Sequence, residues 1–212
     1  MEMSFSTLVR AVIDGKIDLA SRLLTANPEF ATARFEAGAT RRTASEYFYQ
    51  DIAHYAYQGD TAVHLAAAAF QRSSVELLVR HGAALGVKNR RGAEPLHYAA
   101  DANRWNPSAQ AETIEYLLLA GANPNAVDAN GATPLHRAVR TRSAAAVRAL
   151  LAGGADVHAT NTNGSTPYNL AVHNTGRGGS GSAQAREQQA EIMALLLAAG
   201  ARPVTARTAG RR

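Results

Sequence analysis

Three histidines recur at regular distances along the chain and are the first candidates for chemistry. His64, His97 and His136 are separated by 33 and 39 residues. A zinc ion needs ligands that converge on one tetrahedral point, whereas residues that recur with a structural unit point in parallel from successive ribs. The other four histidines lack metal-ligand spacing. We therefore expect a structural role for the recurring histidines and predict no metal site.

The chain offers no nucleophile in a recognisable catalytic setting. It has no cysteine, and no serine stands in a G-x-S-x-G motif. The glycine-rich residues 175–182 could wrap a phosphate, but they lack the lysine of a P-loop and no strand is predicted before them. A flexible loop is the better interpretation of that segment. We expect no enzymatic activity and no cofactor.

Two short landmarks repeat along the chain and define its units. A helix start of the Thr-Pro-Leu-His type occurs in four related forms, at residues 61–64, 94–97, 133–136 and 166–169. A Gly-Ala pair follows each start, at residues 82–83, 121–122, 154–155 and 200–201. The two landmarks are 21, 27, 21 and 34 residues apart. A 33-residue period therefore carries insertions of six and thirteen residues in its second and fourth copies.

The most complete copy of the motif is Thr-Pro-Leu-His-Arg-Ala, at residues 133–138. It resembles the T-P-L-H-x-A helix start of the ankyrin repeat, and the Gly-Ala pair resembles the helix end of that family. The resemblance implies an all-α fold, a solenoid of stacked helix-turn-helix units with short β-hairpin loops. It also implies that each recurring histidine ties its own turn to neighbouring backbone groups, and that the first helix of each unit lines the concave face.

Each landmark has a physical role within its unit. Threonine suits the N-cap, proline suits the first turn, and glycine can take the left-handed conformation that ends a helix. The second helices carry apolar pairs seven and four residues before that glycine: Val75 and Leu78, Ile114 and Leu117, Val147 and Leu150, and Met193 and Leu196. Glu94 replaces the cap threonine in one unit. Tyr168-Asn169 replaces Leu-His in the last, which predicts a terminal capping unit with a weaker first helix.

We count five units in a single domain that spans residues 1–202. Their approximate bounds are residues 4–58, 59–91, 92–130, 131–163 and 164–202, with a basic polar tail at 203–212. The first unit is degenerate, with Thr7 as the counterpart of the helix-start threonine. No apolar run of 18 residues and no signal-peptide core is present, so we expect a cytoplasmic protein without a membrane span. An effector exported without a classical signal is the alternative.

The first unit carries 21 extra residues on the hairpin side, and these are rich in aromatics. Tyr47, Tyr49, Tyr55 and Tyr57 stand there with Phe48, five of the thirteen aromatic residues of the chain. Residues 43–46, Thr-Ala-Ser-Glu, resemble a capping box and predict an additional helix. The aromatics either pack onto the first units as an N-terminal shield or form an exposed patch for a partner.

The other two insertions lie between the two helices of their units, around residues 103–107 and 177–184. They are expected to project from the rim opposite the hairpins. Arg104 and Trp105 occupy the first of these insertions. Trp105 either folds back over its own helix pair or contacts a partner, for which its large amphipathic area is suited.

A group of arginines marks the unit at residues 131–163. Arg137, Arg140 and Arg142 lie on or just after its first helix, and Arg90 and Arg91 lie at a preceding hairpin tip. Guanidinium groups bind carboxylates bidentately, so this pattern favours a basic groove for an acidic segment of another protein. A solvated charged face is the alternative. Charge reversal at the first two positions is predicted to weaken partner capture without changing thermal unfolding.

These observations favour a non-catalytic protein-binding module: an adaptor, inhibitor or regulatory subunit. Its expected contact residues are the four insertion tyrosines, Arg90, Arg91, Tyr98, Arg104, Trp105, Arg137, Arg140 and Arg142. The alternative is nucleic-acid association through residues 131–212, which carry a net charge of +7 against −2 for residues 1–60. Nucleic acid is the less favoured partner because that region contains no recognised binding motif and few aromatics.

Overall fold

A computed structural model describes residues 4–101, 106–172 and 182–202. Ten α-helices occur in these ranges: α1 Phe5–Ile13, α2 Ile17–Ala26, α3 Ala62–Ala68, α4 Arg72–Arg80, α5 Pro95–Ala100, α6 Pro107–Leu119, α7 Pro134–Thr141, α8 Ala144–Ala152, α9 Pro167–Val172 and α10 Ala183–Ala198. Consecutive odd-numbered helices contact one another, and so do consecutive even-numbered helices. The chain is therefore an all-α solenoid of stacked helix pairs, as predicted.

The helix starts follow the capping chemistry expected from the sequence. Thr133 caps α7 through its side chain, and the ring of His136 accepts a hydrogen bond from the Thr133 N–H to complete a capping box. Glu94 caps α5 in the same way. The first helix departs from expectation: Ser4 is its N-cap and bonds the N–H of Thr7 at 3.2 Å, so Thr7 lies inside α1.

The second helix of each later unit ends at a glycine with a left-handed backbone, as predicted. Gly82, Gly121, Gly154 and Gly200 have φ angles of 90°, 95°, 86° and 94°. A side chain at such an angle is strained, which accounts for glycine at these ends.

The even-numbered helices bury the predicted apolar pairs, with one exception. Both members of the pairs in α4, α6 and α8 are fully buried. In α10 Leu196 is fully buried, but the second buried position is Ile192, and Met193 is half-buried. The odd-numbered helices bury alanines such as Ala66 and Ala99, whose small side chains allow close packing between neighbouring units.

The loops between units are short turns, and they contact one another. In one of them the Asp128 N–H donates to the Ala132 carbonyl at 3.0 Å. The Ala129 N–H donates to the Arg91 carbonyl of the preceding loop, and the Thr162 N–H to the Asn130 carbonyl. These loops, called hairpin loops below, therefore add a second line of contact between units.

The 21-residue insertion contains a short strand pair instead of the predicted helix. Strands β1 (Phe48–Tyr49) and β2 (His54–Tyr55) are antiparallel, with Phe48 opposite Tyr55, and a 3₁₀ turn at Gln50–Ile52 joins them. Residues 43–46 form no helix because the Thr43 hydroxyl closes a preceding turn. It accepts from the Thr40 N–H and donates to the Gly38 carbonyl.

The two other insertions separate α5 from α6 and α9 from α10, as the spacing predicted. Arg104 and Trp105 lie outside the described residues, as does most of the glycine-rich segment. Within the described ranges, no helix is long and apolar enough to cross a membrane. The same ranges contain no group of three side chains placed to bind a metal ion.

Candidate functional site: a polar cavity beneath the insertion

The recurring histidines join neighbouring units through their two ring nitrogens. The Nδ1 atom of His64 accepts a hydrogen bond from the Thr61 N–H at 3.1 Å. Its Nε2 atom lies 3.2 Å from the carbonyl oxygen of Ala93, to which it donates. Both nitrogens are thus used by a neutral ring. Burial lowers the pKa of His64 to about 4, which keeps the ring neutral at pH 7.

His97 and His136 make the same bridges one and two units further along. Their Nε2 atoms lie 3.0 Å from the Ala132 carbonyl and 2.9 Å from the Ser165 carbonyl. Burial lowers the pKa of both, to about 4 for His97. Each ring therefore binds a different carbonyl, and the structural role predicted for these histidines is confirmed.

A polar cavity of about 220 Å³ opens where the aromatic insertion meets the odd-numbered helices. The insertion supplies one wall, two hairpin loops supply the second, and α5 and α7 supply the third. The side chains that matter below are those of His54, Tyr57, Arg91, Tyr98, Arg137 and Arg140. The insertion thereby turns an open groove into a partly enclosed site.

One wall of the cavity rests on a buried hydrogen-bonded aspartate. Asp60 accepts hydrogen bonds from the Tyr57 N–H at 2.6 Å, the Tyr98 hydroxyl at 2.7 Å and the Asn89 amide at 2.8 Å. Burial raises the pKa of Asp60 to about 6 despite these donors. His54 stacks on the Tyr98 ring, with centroids 4.4 Å apart, and burial lowers its pKa.

The opposite wall holds buried charges. Arg137 is only 7% exposed and donates to Asp101 at 2.8 Å and to Asp128 at 2.9 Å. Arg140 also donates to Asp101, at 3.3 Å, but about half of its side chain is exposed. Although burial raises the pKa of Asp101, these two guanidinium groups hold it below its ordinary value. We call Asp101, Asp128, Arg137 and Arg140 the charged cluster.

Two hairpin arginines fasten the insertion at the cavity mouth. The guanidinium of Arg91 lies 4.9 Å from the centre of the Tyr57 ring and donates to its hydroxyl at 2.9 Å. Arg90 lies 5.5 Å from the same ring centre and donates to the carbonyl of Ala39. Both arginines hold the insertion in place, and both remain exposed to solvent.

The insertion tyrosines divide between the two roles considered for them. Tyr49 is 9% exposed and lies under the Arg10 guanidinium of the first unit, and Tyr47 is half-buried against the core. These two residues shield the first unit. Tyr55 and Phe48 are 37% and 38% exposed, with ring centres 4.8 Å apart. Tyr55 and Phe48 thus form a small exposed aromatic patch, whereas Tyr57 is half-buried against the core under the hairpin arginines.

Three residues expected at a contact surface have buried side chains. Arg137, Arg142 and Tyr98 are at most 8% exposed. Arg142 has a left-handed backbone and ends α7. Reversing the charge of Arg137 would oppose two buried carboxylates, so the expectation that such a variant keeps its thermal stability is corrected. Arg140 is the exposed cation of this helix.

The sequence interpretation missed the acidic and amide members of the site. Asn89, Asp128 and Asn161 stand five residues before the helix-start residue of the next unit. Each accepts backbone N–H groups of its own loop, as Asp128 does from Asn130 at 2.8 Å. Their regular position was a usable signal. Asp60 and Asp101 carry no such signal, because their side-chain partners are distant in sequence.

Comparison with known families agrees with this architecture. A family model described as three copies of ankyrin repeats matches residues 106–207, and a single ankyrin-repeat model matches residues 58–90. The chain belongs to the ankyrin-repeat family. Repeats of this family are generally protein–protein interaction modules, typically without catalytic activity.

Among curated proteins, the chain is similar to the E3 ubiquitin-protein ligase KEG of Arabidopsis thaliana. The two are 38% identical over 81 residues, which is 38% of this chain and 5% of the ligase. The similarity therefore concerns a small part of that protein.

Proposed function

We propose that the protein is a non-catalytic cytoplasmic binding module, an adaptor, inhibitor or regulatory subunit. It engages its partner with the groove of the odd-numbered helices, the hairpin tips and the aromatic insertion. The observation that carries this proposal is the convergence of all three at one accessible cavity. Accessible cations and aromatic rings surround its mouth, and side chains of these types dominate binding energy at protein interfaces.

The exposed side chains at this site define the proposed contact surface. Phe48 and Tyr55 supply the aromatic patch, and Arg90, Arg91 and Arg140 supply the cations. We call these five residues the contact surface. The insertion that holds the aromatic pair is tied down by both hairpin arginines, so little ordering entropy is lost when a partner binds.

The other candidate functions have less support. Arg137, Arg140 and Arg148 each pair with an acidic side chain, so the described part of residues 131–212 lacks a continuous stripe of free cations for nucleic-acid phosphates. A match to 5% of a ubiquitin ligase gives no ground for ligase activity here.

Site-specific photo-crosslinking in the native cell tests the proposed surface. A benzoylphenylalanine at position 55 in the full chain is expected to capture a protein covalently. The same group in place of Glu115, exposed on α6 in the other helix layer, is the matched control. Capture that depends on position 55 supports the proposal. Equal labelling from both positions, or none from position 55, contradicts it.

A further inference from the structure

We propose that the cavity beneath the insertion is a receptor for one acidic side chain, a glutamate or aspartate of the partner protein. This inference rests on the proposed function and gives the partner's chemistry. Arg140 is the principal contact, Arg91 is the second, and Asp101 holds Arg140 in place. The occupant is a segment that crosses the groove and inserts one carboxylate between the insertion and α7.

The charge of the lining favours a single negative charge. Three arginines, Arg91, Arg137 and Arg140, line the cavity against two aspartates, Asp101 and Asp128. His54 adds no charge at neutral pH because burial lowers its pKa. The lining therefore carries one net positive charge. One carboxylate neutralises this charge. A phosphate dianion would leave one negative charge in excess and would lie close to two fixed carboxylates.

The size of the cavity favours a side chain over a larger ligand. Clefts for cofactors and drug-sized ligands usually have volumes of about 300–1,000 Å³. This cavity, at about 220 Å³, is smaller and open on one side. A partner residue can therefore enter while its backbone stays in the groove outside.

The arginines at the site have donors available to an incoming carboxylate. The Arg140 side chain makes one hydrogen bond within the described ranges, from its Nη2 atom to Asp101 at 3.3 Å. About half of its side chain faces solvent, so most of its fork is available. The Arg91 fork uses NH1 for the Tyr57 hydroxyl at 2.9 Å. Arg137 lines the same cavity, and its Nε has no acceptor among the residues that the structure describes.

The test uses the full chain, labelled with ¹⁵N, and capped peptides of defined sequence. Acetyl-Gly-Glu-Gly-amide is titrated at constant ionic strength, with acetyl-Gly-Gln-Gly-amide as the isosteric neutral control. We expect saturable shifts at amides of residues 54–57, 91 and 140 with the glutamate peptide only. Because hydrogen bonds to charged groups are worth about a tenfold change in affinity or more, Arg140→Gln is expected to weaken binding at least about tenfold.

Arg148→Gln is the matched control, because Arg148 is also a half-exposed arginine paired with one carboxylate, that of Glu191. It is expected to bind the glutamate peptide as the unaltered chain does. Arg91→Gln gives a second variant on a different element and is expected to weaken binding as well. Equal shifts with both peptides, or unchanged binding in Arg140→Gln, would overturn the proposal.

Two further probes separate the sources of negative charge. Inorganic phosphate represents a phosphorylated partner, and triglycine acetylated at its N-terminus represents a chain terminus. Tighter binding of either than of the glutamate peptide overturns the side-chain assignment. If no anion binds but position 55 still crosslinks a partner, this inference fails while the proposed function stands. If position 55 captures no protein, the proposed function itself fails.

Discussion

The first helices of the third and fourth units, with the loops that precede them, place different side chains at equivalent positions facing the groove. Tyr98 and Arg137 each lie four residues after the N-cap of their helix, and Asn89 and Asp128 each lie five residues before it. In both cases the helix residue is hydrogen-bonded to the residue of the loop before it, at 2.9 Å. One pair is neutral and the other is charged, although the surrounding backbone is alike.

Tyr98 and Arg137 also donate to different buried aspartates, and the pKa values of these two aspartates shift in opposite directions. Tyr98 donates to Asp60, whose pKa burial raises to about 6. Arg137 donates to Asp101, whose pKa two arginines hold below its ordinary value. The repeat thus supplies a backbone position that faces the groove. The side chain at that position decides whether the pKa of a buried carboxylate there lies above or below its ordinary value.

The largest effect is expected from breaking the charged pair. Arg137→Gln leaves Asp128 and part of Asp101 buried without a counter-charge, which costs about 3–5 kcal/mol of unfolding free energy. Urea unfolding followed by circular dichroism at pH 7 measures this. Arg148→Gln removes an exposed pair and is expected to cost less than about 1 kcal/mol. Equal losses in the two variants would mean that burial does not distinguish the pairs.

The second-largest change in stability is expected when the pH is lowered from 7 to 5. His64 and His97 have folded pKa values of about 4 against 6.5 in the unfolded chain, so their contribution is present above pH 6.5 and lost as the pH falls. Asp60 has the opposite sign: its raised pKa adds stability as the pH falls from about 6 towards 3.8. Because two histidines outweigh one aspartate, stability should fall by about 2–4 kcal/mol between pH 7 and pH 5.

Two measurements check this balance. Urea unfolding at pH 7 and pH 5 gives the net change, and carboxyl NMR titration gives the individual aspartates. Asp60 should titrate near pH 6, and Asp101 should titrate below its ordinary range. Unchanged stability down to pH 5, or similar pKa values for the two aspartates, would remove the contrast between the units.

Much of the fold could be predicted because its determinants lie within one repeat. Thr133 and His136 are three residues apart, and the glycines that end the second helices recur at a fixed place. The burial of Arg137 could not be predicted, since it depends on Asp101, 36 residues away. The structure of the insertion could not be predicted from the repeat, because the insertion has no counterpart in the other units. The Thr43 hydroxyl bonds the Gly38 carbonyl in a local turn instead of capping a helix.

A smaller effect is expected from the neutral pair. Tyr98→Phe removes the hydroxyl that donates to Asp60 and accepts from Asn89, at a cost of about 1–3 kcal/mol. The insertion should also loosen, so trypsin should cleave at the exposed Arg41 and Arg42 several-fold faster. Tyr116→Phe is the matched control, because that hydroxyl has no hydrogen bond within the described ranges. Unchanged cleavage in Tyr98→Phe would show that Asp60 does not anchor the insertion.

The smallest effect is expected from exchanging the helix caps of the same two units. Glu94 and Thr133 are both buried caps, but burial raises the pKa of Glu94, which means that its carboxylate is poorly solvated. Threonine caps without charge, so Glu94→Thr should stabilise the chain by about 0.5–1 kcal/mol, and Thr133→Glu should destabilise it by at least as much. Urea unfolding of both variants at pH 7 measures the pair. Changes of the same sign would mean that the surroundings of each cap, and not the cap residue, set its contribution.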